Sequence, residues 1–126
     1  MNLIKCNKKH WEFIRLTRTH NKNTKGFFSN NKISKEEQIE YMELNSKYFY
    51  VCLINNSPVG WIKVDSNNEI SYCAHPDFKG KGVGTFMISE VYSKYDILEA
   101  YVKVDSIASQ KVFEKVGFKK YIHYKK

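Results

Sequence analysis

The chain has 126 residues, with 21 Lys and Arg against 13 Asp and Glu, giving a formal charge of +8 at pH 7. That length fits one domain spanning 1–126, and 42% hydrophobic with 15% aromatic content is enough to pack a core, which excludes wholesale disorder. No run approaches the roughly 18–20 apolar residues of a spanning helix. The opening Met1–Lys9 also lacks the apolar stretch of a secretory signal. The expectation is therefore a cytoplasmic protein with no membrane partner. Cys6, Cys52 and Cys73 are widely spaced without metal-ligand spacing, which suits a reducing compartment and predicts no metal.

The charge is mostly lysine: Arg15 and Arg18 are the two arginines, against 19 Lys, and Asn occurs 11 times. Joint Lys and Asn enrichment fits a coding bias expressed on a solvated surface, whereas nucleic-acid readers lean on Arg for bidentate contacts. A nucleic-acid partner is therefore not expected. The charge is uneven: residues 1–33 sum to +7, 34–74 to −3 and 75–126 to +4. The flanking segments suit an anion and the middle one an amine.

In chain order, Leu3–Cys6 reads as a short strand. His10–Arg18 reads as a helix with Trp11, Ile14 and Arg18 on one side. Residues 19–33 form a long polar loop, a length that usually marks a functional segment. Ser34-Lys35-Glu36-Glu37 matches a capping box opening a helix to about Asn45, with Ile39, Met42 and Leu44 inward. Tyr48–Ile54 and Val59–Val64 read as a hairpin around Asn55-Asn56-Ser57, and Glu69–Ala74 as a third strand of this meander. A glycine-rich turn then opens a helix to about Tyr95. Leu98–Val104 is a strand, Ser106–Val116 a helix and Phe118–Tyr124 a closing strand. The class is α/β with a mixed sheet, in the order β-α-α-β-β-β-α-β-α-β.

The stretch Lys79-Gly80-Lys81-Gly82-Val83-Gly84-Thr85 carries the most information. Alternate glycines between a strand and a helix let the backbone approach an anion, and the amides of the helix start point at it. A P-loop fails here because Gly80-Lys81 is followed by Gly82 rather than Ser or Thr. A dinucleotide fingerprint fails because Thr85 stands where a glycine is needed.

This turn resembles the acyl-CoA signature of the GNAT superfamily of N-acetyltransferases, Gln/Arg-x-x-Gly-x-Gly/Ala, with Lys79 in place of Gln or Arg. The segment Asp105–Phe118 is similar to that family's Asn-x-x-Ser-x-x-x-Tyr-x-Lys-x-Gly-Phe, and Val59-Gly60-Trp61 resembles its glycine-bearing strand. The resemblance covers residues 48–118. It implies a GNAT-like sheet with splayed fourth and fifth strands and acetyl-CoA, a cosubstrate, wedged between them. It further implies that Tyr72, Cys73 and Ala74 offer main-chain groups to the pantetheine arm. The amides from Lys79 through Gly80, Lys81, Gly82, Val83 and Gly84 to Thr85 would hold the pyrophosphate, with Ser106, Ser109 and Phe113 also lining the cofactor.

Acetylation of an amine needs a base to take its proton. Glu69 is the expected base, because Glu69–Ala74 is similar to the strand bearing the catalytic glutamate in the histone-acetylating branch. Alternation puts Glu69, Ser71 and Cys73 on one face and Ile70, Tyr72 and Ala74 on the other. Cys73 reads as a small buried residue, since direct transfer needs no nucleophile. The family's usual acid, a Tyr in the last helix, is Phe113 here, which cannot donate a proton. Another group, a nearby tyrosine or a water, then has to serve, or the thiolate leaves unassisted. Ser106 stands for the family's Asn and retains a capping hydroxyl.

The acceptor is read as a small-molecule amine. Arg18 with Phe27, Phe28 and the segment to Gln38 resembles the corresponding region of family members that acetylate amino sugar nucleotides. Arg15, Arg18, Lys22 and Lys25 could meet a diphosphate, while Glu36, Glu40 and Glu43 favour a cationic acceptor such as a polyamine or a peptide N-terminus. The alternatives are protein or peptide N-acetylation, and a CoA-binding module without turnover, motivated by Phe113. The closing strand leaves an edge on which a homodimer could pair.

Overall fold

The computed structural model describes residues 1–20 and 33–121. Five strands make one sheet: β1 (Asn2–Lys5), β2 (Phe49–Ile54), β3 (Ser57–Val64), β4 (Glu69–Ala74) and β5 (Glu99–Ala100), side by side in that order. The first four are antiparallel neighbours and β5 runs parallel to β4. Four α-helices, α1 (Trp11–Thr19), α2 (Lys35–Asn45), α3 (Val83–Lys94) and α4 (Ile107–Val116), cover its two faces. The neighbour order follows chain order: short turns join β2, β3 and β4, whereas α1 and α2 lie in the long connection from β1 to β2 and α3 makes the crossover from β4 to the parallel β5.

Local chemistry explains the junctions. Asn55 and Asn56 both take positive φ (50° and 65°), the conformation a tight hairpin needs and Asn tolerates. A bulge follows, because Cys52 faces Gly60 while Leu53 faces Pro58, leaving Val59 as the extra residue. Between β3 and β4 the Asp65 carboxylate accepts from the amides of Asn67 (2.8 Å) and Glu69 (3.0 Å), closing the turn. Both capping-box bonds of α2 are present: Glu37 N–H donates to Ser34 Oγ at 3.1 Å and Ser34 N–H to Glu37 Oε1 at 3.3 Å.

Strand alternation sorts the interior into two cores. One holds Ile62, Val64 and Ile70 against Val83, Met87, Ile88 and Val91 of α3 and Phe113 of α4. The other holds Phe49, Val51, Trp61 and Cys73 against Ile14 of α1 and Met42 of α2. Gly60 lets α3 press on the sheet. A Cβ there would lie 3.0 Å from Cys73 O, Val83 Cγ1 and Met87 Cε alike.

Three sequence expectations shift. In α2 the inward positions are Gln38 and Met42, whereas Ile39 and Leu44 are 40% and 74% exposed. Gln38 can be buried because its Nε2 donates to Trp11 O at 3.1 Å, tying α2 to α1. The strand expected over 98–104 pairs only as Glu69–Glu99 and Ile70–Ala100, after which β4 and β5 part and residues 101–103 leave the ladder. The closing strand expected from Phe118 is not formed through Tyr121, and residues 122–124 of that expectation lie outside the described residues. Phe118 instead finishes α4: its N–H donates to Phe113 O at 3.0 Å across Gly117 (φ 123°), and its ring meets Phe113 and Tyr92 edge-on.

Candidate active site

Chain chemistry at the end of β4 builds a tight glycine turn. His75 Nδ1 accepts from Asp77 N–H at 3.1 Å and Pro76 occupies the first position of a single 3₁₀ turn, so the strand stops abruptly. Gly80 and Gly82 follow with φ of 77° and 83°, backbone that an L side chain rarely adopts. The first α3 bond runs from Phe86 N–H to Gly82 O at 3.0 Å. The amides of Val83, Gly84 and Thr85 precede it and have no intrahelical acceptor. Lys79 and Lys81 are exposed beside the turn, with Lys81 Nζ 5.3 Å from the Phe78 ring centre.

The parting of β4 from β5 opens a cleft of about 830 Å³. It straddles the edge of β4 beyond its last pairing with β5. On one face its wall includes Arg18, Gln38, Tyr41, Trp61, Lys63, Glu69 and Ser71, and on the other Tyr72, Gly84, Ser109, Val112 and Phe113. The glycine turn lies at one end, with Lys79, Gly80, Gly82, Val83 and Thr85 in the wall, and Cys73 and Ala74 also contribute. The glycine turn and Glu69, the only carboxylate of the wall among the described residues, therefore share one cleft. Lys81 and Ser106 lie outside the wall; Ser106 stands at the N-cap of α4 without a side-chain capping bond. Phe27, Phe28, Lys22 and Lys25 lie outside the described residues. Arg15 pairs with Glu12 and donates to Ile33 O at 3.2 Å, so its charge is engaged locally. Among the described residues no group of three His, Cys, Asp or Glu side chains is arranged to hold a metal ion.

The wall also contains residues that sequence reading left in the core or unmentioned. Trp61 and Lys63 join Ser71 and Cys73 because the β3–β4 register pairs Trp61 with Cys73 and Lys63 with Ser71. Alternation along β3 carries that signal, provided the register is known. Trp61 is held by its Nε1 donating to Thr17 Oγ1 at 3.1 Å. Phe49 is buried in the core and also reaches the cleft.

Electrostatics separate the titratable groups. Burial pushes the Cys73 thiol up to about 12, with Lys79 and Arg18 only partly opposing it. It is 5% exposed and protonated at neutral pH, which matches the buried-cysteine reading. Burial likewise lowers Arg18 and raises Tyr72. An Arg retains its charge under such a shift, so the wall on the Glu69 face of β4 carries two cations, Arg18 beside Cys73 and Lys63 across from Ser71.

The chain belongs to the GNAT acetyltransferase family, whose model matches residues 11–118. It is 29% identical over 93 residues to an uncharacterized N-acetyltransferase of Methanocaldococcus jannaschii, a match covering 61% of this chain and 41% of that protein, so the chain aligns with less than half the length of this relative. The fold is similar to the crystal structure of a domain from the same organism, with TM-score 0.80, 22% identity, and 95% of this chain and 88% of that one covered. It is also similar to spermidine N-acetyltransferase from Vibrio cholerae in complex with CoA and spermine, with TM-score 0.82, 16% identity, and 97% and 82% of the two chains covered.

Proposed function

We propose that the chain transfers the acetyl group of acetyl-CoA to a primary amine of a small molecule that also carries negative charge, an amino sugar nucleotide being the preferred class. The observation that carries this reading is the single cleft along the edge of β4, with the glycine turn at one end, Glu69 at the other, and Arg18 and Lys63 in the wall. In it, the amides from Lys79 to Thr85 hold the cofactor's pyrophosphate. The edge of β4 beyond its last pairing with β5, at Tyr72 to Ala74, meets the pantetheine arm as an added strand would. Glu69 takes the proton of the attacking amine, either directly or through water. The amine then adds to the thioester carbonyl and CoA leaves as the thiol.

Arg18 and Lys63 in the wall favour an acceptor carrying a phosphate or carboxylate over a polyamine of the kind bound in the Vibrio cholerae relative, because two cations repel a polycation and attract an anion. Phe113 supports a second reading, a CoA-binding module without turnover, since it brings no proton to the helix position expected to hold an acid. Calorimetry with acetyl-CoA tests the cofactor. Thiol release with an amino sugar nucleotide, spermidine and a short peptide, each offered separately, then tests turnover and acceptor. Release with the sugar nucleotide above the other two is expected. Acetyl-CoA binding with no release for any amine favours the binding module, and absent binding at millimolar acetyl-CoA overturns both readings.

A further inference from the structure

A thioester that loses its sulfur to an attacking amine releases the C–S bonding pair as a thiolate, and that thiolate needs a proton. The cleft arm between β4 and α4 is walled by Val83, Ala108, Val112 and Phe113, none of which can supply one. Beside these apolar groups stand the hydroxyls of Tyr72 and Ser109, hydrogen-bonded to each other at 2.9 Å, while Thr85 and Tyr101 also line the cleft. From these contacts we infer that Tyr72 Oη, recharged through Ser109 Oγ, is the group that protonates the departing sulfur. The inference rests on the acetyl-CoA reading above.

The Tyr72 ring is fixed on three sides. The Phe113 ring meets it edge-on at 5.8 Å and 80°, Ser109 holds its hydroxyl, and α3 presses close enough that a Cβ on Gly84 would lie 3.1 Å from Tyr72 Cε2. A glycine at the second position of α3 is therefore what allows the ring to occupy this place. The phenol is thereby oriented in advance rather than recruited. Burial raises its pKa, so the proton is present at neutral pH.

Strand alternation supplies the second argument. Glu69 and Tyr72 sit on opposite faces of β4, and the β4–β5 ladder stops at Ile70–Ala100, so both faces open into the same cleft beside that edge. A thioester lying along the edge would receive its amine from the Glu69 face and expel its sulfur towards the Tyr72 face. The balance is closed. The amine proton goes to Glu69, the C–S pair leaves with sulfur, and the Tyr72 proton joins sulfur to give the free thiol. The phenolate takes a proton from Ser109, whose hydroxyl is replenished from water.

Tyr72→Phe keeps the ring and its packing while removing the proton. Expected for this variant is a fall in kcat of about 10²-fold or more, the scale of a positioned acid. The calorimetric affinity for acetyl-CoA and the melting temperature should stay close to wild type. Ser109→Ala leaves the Tyr72 ring untouched and should lower kcat by a smaller factor, with a changed solvent deuterium isotope effect on kcat that a packing role would not produce. A Tyr72→Phe variant whose kcat stays within about twofold of wild type overturns the assignment while leaving acetyl transfer intact. Wild-type protein that binds acetyl-CoA but releases no thiol with any amine overturns the transfer reading itself, and the assignment with it.

Discussion

Glu69 stands where β4 begins, its amide fixed by Asp65 and its side chain in the cleft wall, so its position is set by backbone that does not depend on the side chain. Glu69→Gln should therefore leave folding and acetyl-CoA affinity nearly unchanged while lowering turnover by about 10²–10⁴-fold. The loss should be largest at low pH, where the acceptor amine is protonated and needs a base, and should shrink as pH rises and the amine deprotonates by itself. Steady-state rates across pH check this, and equal activity of the two proteins at every pH removes Glu69 from the chemistry. Cys73 gives a second residue-scale prediction. Its thiol is raised from 9.0 to about 12 in the folded chain. Below pH 9 folded and unfolded chains both hold the proton and the contribution to stability is complete. Above pH 9 the unfolded thiol ionises first, so stability drains away as pH climbs towards 12. The stability advantage of wild type over Cys73→Ala, measured by urea unfolding, should shrink by about 1.4 kcal/mol between pH 8 and 10. A constant difference would mean that the thiol titrates normally.

At the scale of elements, Gly60 governs how α3 docks. A side chain there meets main chain at Cys73 O as well as Val83 and Met87, and backbone cannot swing aside as a flexible side chain can. Gly60→Ala should cost about 1–3 kcal/mol in urea unfolding, the range for overpacking a tight interior. A stability equal to wild type would show that α3 shifts freely on the sheet. Elements whose signals are local were legible in the sequence. The Ser34–Glu37 capping box, the Asn55-Asn56 hairpin, the bounds of β4 and the glycine turn all depend on residues within a few positions of one another. What sequence could not supply depends on partners far away in the chain. Leu44 looked as apolar as Met42, yet Gln38 took the inward place through a bond to Trp11, 27 residues away. Leu98–Val104 has strand-forming composition, but a strand needs a neighbour, and β4 accompanies it for only two residues. The site divides in the same way. Its glycine turn, Glu69, Tyr72 and Ser109 were named from sequence, whereas Trp61 and Lys63 entered through cross-strand register, and the Tyr72–Ser109 hydrogen bond joins residues 37 apart.

For the whole molecule, the +8 charge matters through where it concentrates. Lysines dispersed over the surface raise the background potential, and that contribution is screened beyond about 8 Å at physiological ionic strength. Lys79 is different, because it is exposed beside a turn whose amides already favour an anion, so its charge adds to an oriented field. If the turn holds the pyrophosphate, two effects should separate. Raising salt should weaken acetyl-CoA binding gradually for every variant, since it screens the background. Reversing the charge with Lys79→Glu should weaken binding by about tenfold at low salt, and the gap to wild type should narrow as salt rises. A remote control, Lys47→Glu, changes net charge by the same amount on a lysine that donates to no cleft residue, and should show only the background effect. Calorimetric titrations of the three proteins at low and high salt measure all of this. If Lys79→Glu and Lys47→Glu weaken binding equally, attraction belongs to net charge alone and the glycine turn is not where the phosphates sit.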